Sequence, residues 1–302
     1  MKDRHDYRGD REDHVKIGLE FGEFGWAGGP AKAAEVIARF ARTADDAGVD
    51  LLGVGDHLWQ GPQAGGPEQP YLECFTALTV MAVHSSRARL APVVAGVHFR
   101  EPAVLANAIT SLDVLSGGRA VLGVGVGWDA EESAGMGIAF PPVAERFERL
   151  EETIRICLRL WEGGTEPFEG KHYRLPKPLL VPGPLARPRP PILIAGGGER
   201  RTLPLVARYG DACNLYPTPD LADKLALLRR LCEAEGREYD AIEKTVILPF
   251  ELGTYGERAD ELAGLLRGLG DLGVDTAIGI ISGPDPVAQA EIVGNKIVPA
   301  VA

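Results

Sequence analysis

The chain has 302 residues, 45% of them hydrophobic and 25% charged, which suits one large domain or two small ones with a core that needs no staples. A formal net charge of −11 argues against nucleic acid as the main partner and against an anionic membrane surface, since both need a basic face. Four scattered cysteines (Cys74, Cys157, Cys213 and Cys232) form no Cys-x-x-Cys or Cys/His cluster, so reduced thiols in a cytoplasmic protein are expected and a metal site is not.

Met1 to His14 mixes both charges without an apolar run and reads as a mobile leader, not a signal peptide. No run of about 18 apolar residues follows, so no membrane-spanning helix is expected. Strand-like and helix-like segments then alternate. Val15–Phe21 reads as a strand, and Ala31–Gly48 as a helix with apolar residues at helical spacing and a glycine suited to a C-cap. Val49–Gly55 is the second strand, Tyr71–Ser85 its helix, and Leu90–Val97 the third strand. Pro102 opens a helix through Leu115, as proline does at a first helical turn. Ala120–Val126 is the fourth strand and Val143–Trp161 its helix.

Residues 162–190 hold seven prolines, which forbid helix interiors and central strands, so this stretch reads as an insertion with a small hairpin over 168–175. Pro191–Ala195 resumes the rhythm, with a glycine turn at Gly196, Gly197 and Gly198 and a helix through Tyr209. Asp211–Leu215 and Leu221–Glu235, Thr245–Leu252 and Glu257–Leu272, and Val274–Ile281 and Asp285–Val298 complete the series. Alternating β and α predicts a parallel sheet. A count of eight units favours a closed (β/α)8 TIM barrel over residues 15–302, with function at the carboxyl ends of the strands.

Those ends carry the chemistry. His57 follows the second strand beside Asp56, and an imidazole there can exchange a proton near neutral pH, with Asp56 expected to orient it. Gly123, Gly125 and Gly127 alternate along the fourth strand, which clears one face for a flat ligand, with Trp128 at its rim. Glu132 stands four residues on as a pocket acid or a helix-start carboxylate, and Glu20 and Glu23 have similar standing. His98 lies near the end of the third strand and is a candidate to line the pocket. The pattern at 123–127 is not the dinucleotide fingerprint, because it lies on the fourth strand. Gly196, Gly197 and Gly198 before a helix through Glu199, Arg200 and Arg201 read as a phosphate site.

Taken together, the residues resemble the bacterial luciferase-like family, and within it the branch that uses the deazaflavin coenzyme F420. The likeness rests on Asp56-His57-Leu58-Trp59, on Arg100 to Ala106, on Ser111 to Arg119, on Gly123 to Trp128, on Phe168 to Tyr173, on Pro191 to Glu199 and on Ala207 to Asn214, and it spans roughly 15–283. It implies that the glycine turn holds the cofactor phosphate and that the third strand backs the ring through a non-proline cis peptide. Here that stretch is Ala91-Pro92-Val93-Val94, where the family often has Gly-Thr-Gly-Val. Trp128 stands where some sugar-phosphate dehydrogenases of the branch carry a glutamate.

The function so implied is hydride transfer between coenzyme F420 and a small organic substrate. His57, Glu132 and Trp128 are the catalytic candidates. Asp56, Val93, Val94, Gly125, Gly127, Gly196, Gly197, Gly198, Glu199 and Arg200 form the cofactor site, with Arg100 and Arg201 adding positive charge. The alternatives are an FMN-dependent monooxygenase of the same family and a non-catalytic flavin-binding protein on that scaffold. The family also implies a homodimer. The loops at 56–70 and 127–142 and the proline-rich insertion are expected to build the mouth of the pocket.

Overall fold

The computed structural model describes residues 14–25 and 28–302, so the expected leader lies outside the described residues apart from His14. The strands are β1 (Lys16–Phe21), β2 (Leu51–Val54), β3 (Arg89–Pro92), β4 (Ala95–Gly96), β5 (Leu122–Gly125), the hairpin pair β6 (Phe168–Glu169) and β7 (Arg174–Leu175), then β8 (Ile192–Ala195), β9 (Ala212–Leu215), β10 (Glu243–Pro249) and β11 (Thr276–Ile281). All except the hairpin pair join one parallel sheet in the order β3-β2-β1-β11-β10-β9-β8-β5-β4. A parallel bridge between Leu90 and Ala120 joins its two ends. Leu90 N donates to Arg119 O and Val121 N to Leu90 O across it, so the sheet closes on itself.

β3 and β4 occupy one position in the ring, interrupted at Val93–Val94, whose peptide is cis. Nine strands therefore fill eight places, and the expected (β/α)8 barrel is the observed fold. Strands in such a ring are buried on both faces, which is why β2 is apolar or glycine throughout. Period-two alternation splits each strand between two cores. Leu51, Ala91, Val121, Leu193, Ile247 and Ile278 fill the barrel interior. Leu52, Leu90, Leu122 and Ile192 face outward against the helices.

The helices are α1 (Ala33–Asp46), α2 (Cys74–His84), α3 (Pro102–Ser116), α4 (Ala130–Gly135), α5 (Val143–Trp161), α6 (Thr202–Tyr209), α7 (Leu221–Ala234), α8 (Ala259–Asp271), α9 (Pro286–Ile292) and α10 (Val298–Val301). Periodicity anticipates all of these except α4, a helix of 6 residues in the loop after β5, and α10, which runs past the expected end at Val298; both are too short to show a period. The closing helix is broken by a π-helical stretch at Val293–Ile297. Among the described residues no helix is long and apolar enough to cross a membrane.

An ionic network closes the amino-terminal end of the barrel. Arg89 donates to both oxygens of Glu243 at 2.7 and 2.8 Å and pairs with Asp50, while Thr276 Oγ1 donates to Glu243 Oε1 at 2.5 Å. Burial opposes the Glu243 charge, but Arg89 outweighs it and holds the carboxyl down at about 2. The carboxyl ends of the strands are left as the open mouth.

The proline-rich insertion clads the outer faces of α3 and α5. Glu152 on α5 accepts from the backbone N–H of Lys171, His172 and Tyr173 at 2.7, 3.0 and 3.0 Å. Asp113 Oδ2 on α3 accepts from Leu185 N at 2.6 Å and Ala186 N at 2.9 Å. The insertion is thus bound to the barrel wall, a correction to the expectation that it lines the pocket. Asp113→Ala leaves two backbone donors without an acceptor, and a loss of about 1–3 kcal/mol in folding stability is expected. Urea unfolding measures it; an unchanged midpoint contradicts this account of the insertion.

Candidate active site

Glu20, His57 and Tyr71 meet at the mouth because Gly55 has no side chain. A Cβ on Gly55 would lie 2.7 Å from Tyr71 Oη and 3.0 Å from Glu20 Oε1. Tyr71 Oη donates to Gly55 O at 3.0 Å. From the other side of the mouth, α4 delivers Glu132. Asp129 caps this helix by accepting from Glu132 N at 2.9 Å, which turns the Glu132 side chain inward and buries it.

Glu132 Oε2 lies 2.9 Å from His57 Nδ1. Its Oε1 accepts from Leu58 N and, at 3.2 Å, from Trp59 N. A carboxylate so held makes Nδ1 the protonated nitrogen of His57. Among the described residues Nε2 has no protein partner and is left to the mouth. The Trp128 ring meets the imidazole edge-on at 5.6 Å and is itself 62% exposed.

The charges of this group are coupled. Burial pushes the Glu20 carboxyl up to about 7, with His57 pulling weakly the other way. Burial works against the imidazolium of His57, but the Glu132 hydrogen bond and charge, with Glu20 and Asp56 behind, outweigh it and raise its pKa. Burial would raise the Glu132 carboxyl; the His57 bond and the two loop N–H groups reverse that and lower it. Burial and the nearby carboxylates drive the Tyr71 phenol well up, so it stays protonated. The site thus combines one carboxylate locked to a histidine with one carboxyl poised near neutrality.

Asp56 does not orient His57. Its Oδ2 accepts from Arg100 Nη1 at 2.6 Å and from Gly96 N at 3.1 Å, and Arg100 also pairs with Glu73 at 2.8 Å. Asp56 fastens the end of β2 to β4, and Arg100 is consumed in that buckle instead of facing a ligand. The role expected of Asp56 belongs to Glu132, 75 residues away from His57 in the chain.

The glycines of β5 also serve neighbours in the fold. A Cβ on Gly123 would lie 2.0 Å from Pro92 O, and one on Gly125 would lie 3.0 Å from Val94 Cγ2. The clearance expected for a flat ligand is filled at both positions by the third strand. Val94 and Ile280 are only partly buried and top the barrel interior, so the floor of the mouth is apolar.

Gly127 makes room for His98. It has φ +72°, and a Cβ there would lie 2.3 Å from His98 Cε1. His98 Nε2 lies 3.1 Å from Ser133 Oγ, which donates to Asp129 O at 2.8 Å, so Nε2 carries the proton. Nδ1 is buried without a partner. Burial and the Arg146 charge press the His98 pKa down to about 4, which keeps the ring neutral. His98 is therefore a strut beneath the loop that presents Trp128 and Glu132. Gly127→Ala is expected to lower stability by about 1–3 kcal/mol through that clash and the positive φ. It should also broaden Trp128 fluorescence; thermal melting identical to the parent refutes the strut.

The glycine turn sits apart from this group. Gly196 N donates to Asn214 O at 3.0 Å and Gly196 has φ +117°. Residues 199–201 form a turn, and α6 begins only at Thr202, three residues later than expected. Glu199 and Arg200 are exposed and, among the described residues, make no hydrogen bond or ion pair. Arg201 donates to Ala144 O at 3.3 Å and lies over Phe147. Lys224 Nζ, which sequence reasoning missed, lies 3.3 Å from the place of a Gly197 Cβ and pairs with Asp220 at 2.8 Å. Its four-residue spacing from Asp220 reads in sequence as an ordinary surface pair. Glu20 gives a signal only as a charged residue inside an apolar strand, and Tyr71 and the role of His98 give none.

The comparisons with known proteins agree with this architecture. A family model described as luciferase-like monooxygenase matches residues 16–283. The chain is 33% identical over 217 residues to the F420-dependent glucose-6-phosphate dehydrogenase of Kineococcus radiotolerans, covering 70% of this chain and 62% of that one, so under two thirds of that relative is spanned. It is 29% identical over 234 residues to the enzyme of that name from Amycolatopsis mediterranei, covering 74% of this chain and 67% of the other. A monooxygenase from Streptomyces bottropensis superposes with a TM-score of 0.76 at 22% identity, over 95% of this chain and all of the other; the likeness is one of fold. The chain belongs to the luciferase-like monooxygenase family.

Proposed function

We propose that the protein is an oxidoreductase that moves a hydride between coenzyme F420 and a small organic substrate. The observation that carries this is the convergence of the His57–Glu132 pair and Glu20, with its pKa near 7, around an apolar floor at the mouth of the barrel. The dehydrogenases to which the chain is similar are themselves named F420-dependent. When bound, the deazaflavin supplies the ring carbon that gives or takes the hydride.

The residues present fit such a group. Val93 and Val94 back a flat ring from the third strand. Gly197 and Gly198 leave their backbone open to an anion, while Gly196, whose N–H is tied to Asn214 O, shapes the turn, with Arg200 exposed beside them and Lys224 Nζ over Gly197. Glu199 lies at the rim of that turn, and Gly125 and Gly127 act through Val94 and His98 rather than by touching the ring. His57 Nε2 faces the mouth and holds or receives a proton at a substrate oxygen, Glu132 fixes its tautomer, and Glu20 exchanges that proton near neutral pH. Trp128 walls off the mouth and lowers the access of water. The reading includes a homodimer in a reducing cytoplasm, supported by exposed Val83, Val104 and Leu115 on α2 and α3 and by four buried free thiols.

A second reading, an FMN-dependent monooxygenase, is favoured by the description of the matching family. Equilibrium titration of the apoprotein with both cofactors separates them. Quenching of deazaflavin fluorescence with affinity at least about tenfold above that for FMN is expected; the reverse order overturns the proposal in favour of the monooxygenase.

A further inference from the structure

We infer that the substrate of this site is an uncharged alcohol or its carbonyl counterpart with an apolar or aromatic body, and not a phosphate ester; the inference rests on the deazaflavin reading above. In barrels of this kind a phosphate group is commonly held by the loops after the last two strands and the backbone N–H groups there. In this chain two of those donors are taken by the protein's own carboxylates. Gly283 N, at the end of β11, donates to Glu23 Oε2 at 3.0 Å. Tyr255 N, after β10, donates to Glu257 Oε2 at 3.0 Å.

The cations of that corner are engaged as well. Arg258 pairs with Glu251 at 2.5 Å and with Glu261 at 3.1 Å. Lys296 Nζ donates to Tyr255 O and Gly256 O at 3.1 Å each. Elsewhere round the mouth, the part-buried Arg100 is engaged in its pairs with Asp56 and Glu73. Among the described residues of these loops Arg200 alone is an unengaged arginine, and it stands at the glycine turn assigned to the cofactor. A dianion beside Glu23 and Glu251 would meet like charge where the nearby Arg258 and Lys296 are already engaged.

What the loops at this end of the barrel do offer is aromatic surface. Trp128, Tyr216 and Tyr255, on the loops after β5, β9 and β10, are 62%, 66% and 78% exposed. Large aromatic faces left open round a cleft mark a surface for an apolar partner. The reaction balances without further reagents. The carbinol C–H leaves with its electron pair as hydride to the oxidised deazaflavin, the O–H proton passes to His57 Nε2 or Glu20, and a carbonyl compound remains; the reduction is the same sequence reversed.

The test begins with the full chain and coenzyme F420. If the cofactor does not bind, the functional reading itself fails and this inference falls with it. With cofactor bound, 1-phenylethanol, cyclohexanol and glucose 6-phosphate are compared by loss of deazaflavin absorbance, and acetophenone and glucose 6-phosphate by the rise they cause in melting temperature. The neutral compounds are expected to exceed glucose 6-phosphate by about 10–100-fold in kcat/KM. Acetophenone alone is expected to raise the melting temperature. Tyr216→Ala and Tyr255→Ala are expected to weaken acetophenone binding about tenfold and leave cofactor affinity unchanged. A glucose 6-phosphate efficiency equal to or above that of the alcohols overturns the inference. So does a cofactor-loaded protein that neither binds nor turns over any neutral compound.

Discussion

His57→Ala is expected to lower hydride transfer about 10²–10⁴-fold while cofactor affinity stays within about twofold, because the imidazole moves a proton and does not hold the ring. The geometry supports a split of this kind. Nδ1 is committed to Glu132, and among the described residues Nε2 has no protein partner, so one side chain supplies the proton and a second fixes which nitrogen carries it. Glu132→Gln should then act through His57. It keeps the shape and can still accept from Leu58 N and Trp59 N, but it removes the negative charge that raises the His57 pKa. The His57 limb of the pH–rate profile is expected to move to lower pH, with kcat falling more than kcat/KM changes from substrate binding. Pre-steady-state mixing of cofactor-loaded variants measures both. A His57→Ala variant within threefold of the parent would remove His57 from the chemistry, and a Glu132→Gln profile that does not move would reduce Glu132 to a loop anchor.

Glu20→Gln is expected to stabilise the fold at alkaline pH and to cost activity. The folded chain holds the Glu20 proton more tightly than the unfolded chain, since its pKa is about 7 against an ordinary 4.5. The fold is therefore penalised when this carboxyl ionises: not at all below the ordinary value, increasingly between the two, and fully above 7. The difference of about 2.5 units corresponds to about 3 kcal/mol at full expression. Glutamine cannot ionise, so the variant should gain up to that amount at pH 8 and nothing at pH 4. The same variant should lose the limb near pH 7 from its pH–rate profile. Urea midpoints at the two pH values test the first half. A stability gain equal at pH 4 and pH 8 contradicts the linkage, because it would then come from packing rather than from charge. A site that accepts such a cost in stability is one where the proton affinity is used.

The order of elements, the parallel closure and the end of the barrel that carries the site follow from periodicity along the chain, because eight alternating units of this spacing bury their apolar faces in one way. The candidate histidine was legible for the same reason: it stands just past a strand of apolar and glycine residues. Three assignments were not legible. Asp56 is the nearest carboxylate in sequence, yet Arg100 claims it, and Glu132 reaches His57 from 75 residues away. Gly123 and Gly125 read as room for a ligand, yet Pro92 and Val94 fill that room. Glu20 read as one acid among several, yet burial carries its pKa to about 7. Sequence alone determines which residues line one end of the barrel, since that depends on local pattern. Only the tertiary structure decides which of them are paired, filled or desolvated, because hydrogen bonding, steric clearance and burial are set by neighbours that the chain brings together from distant strands.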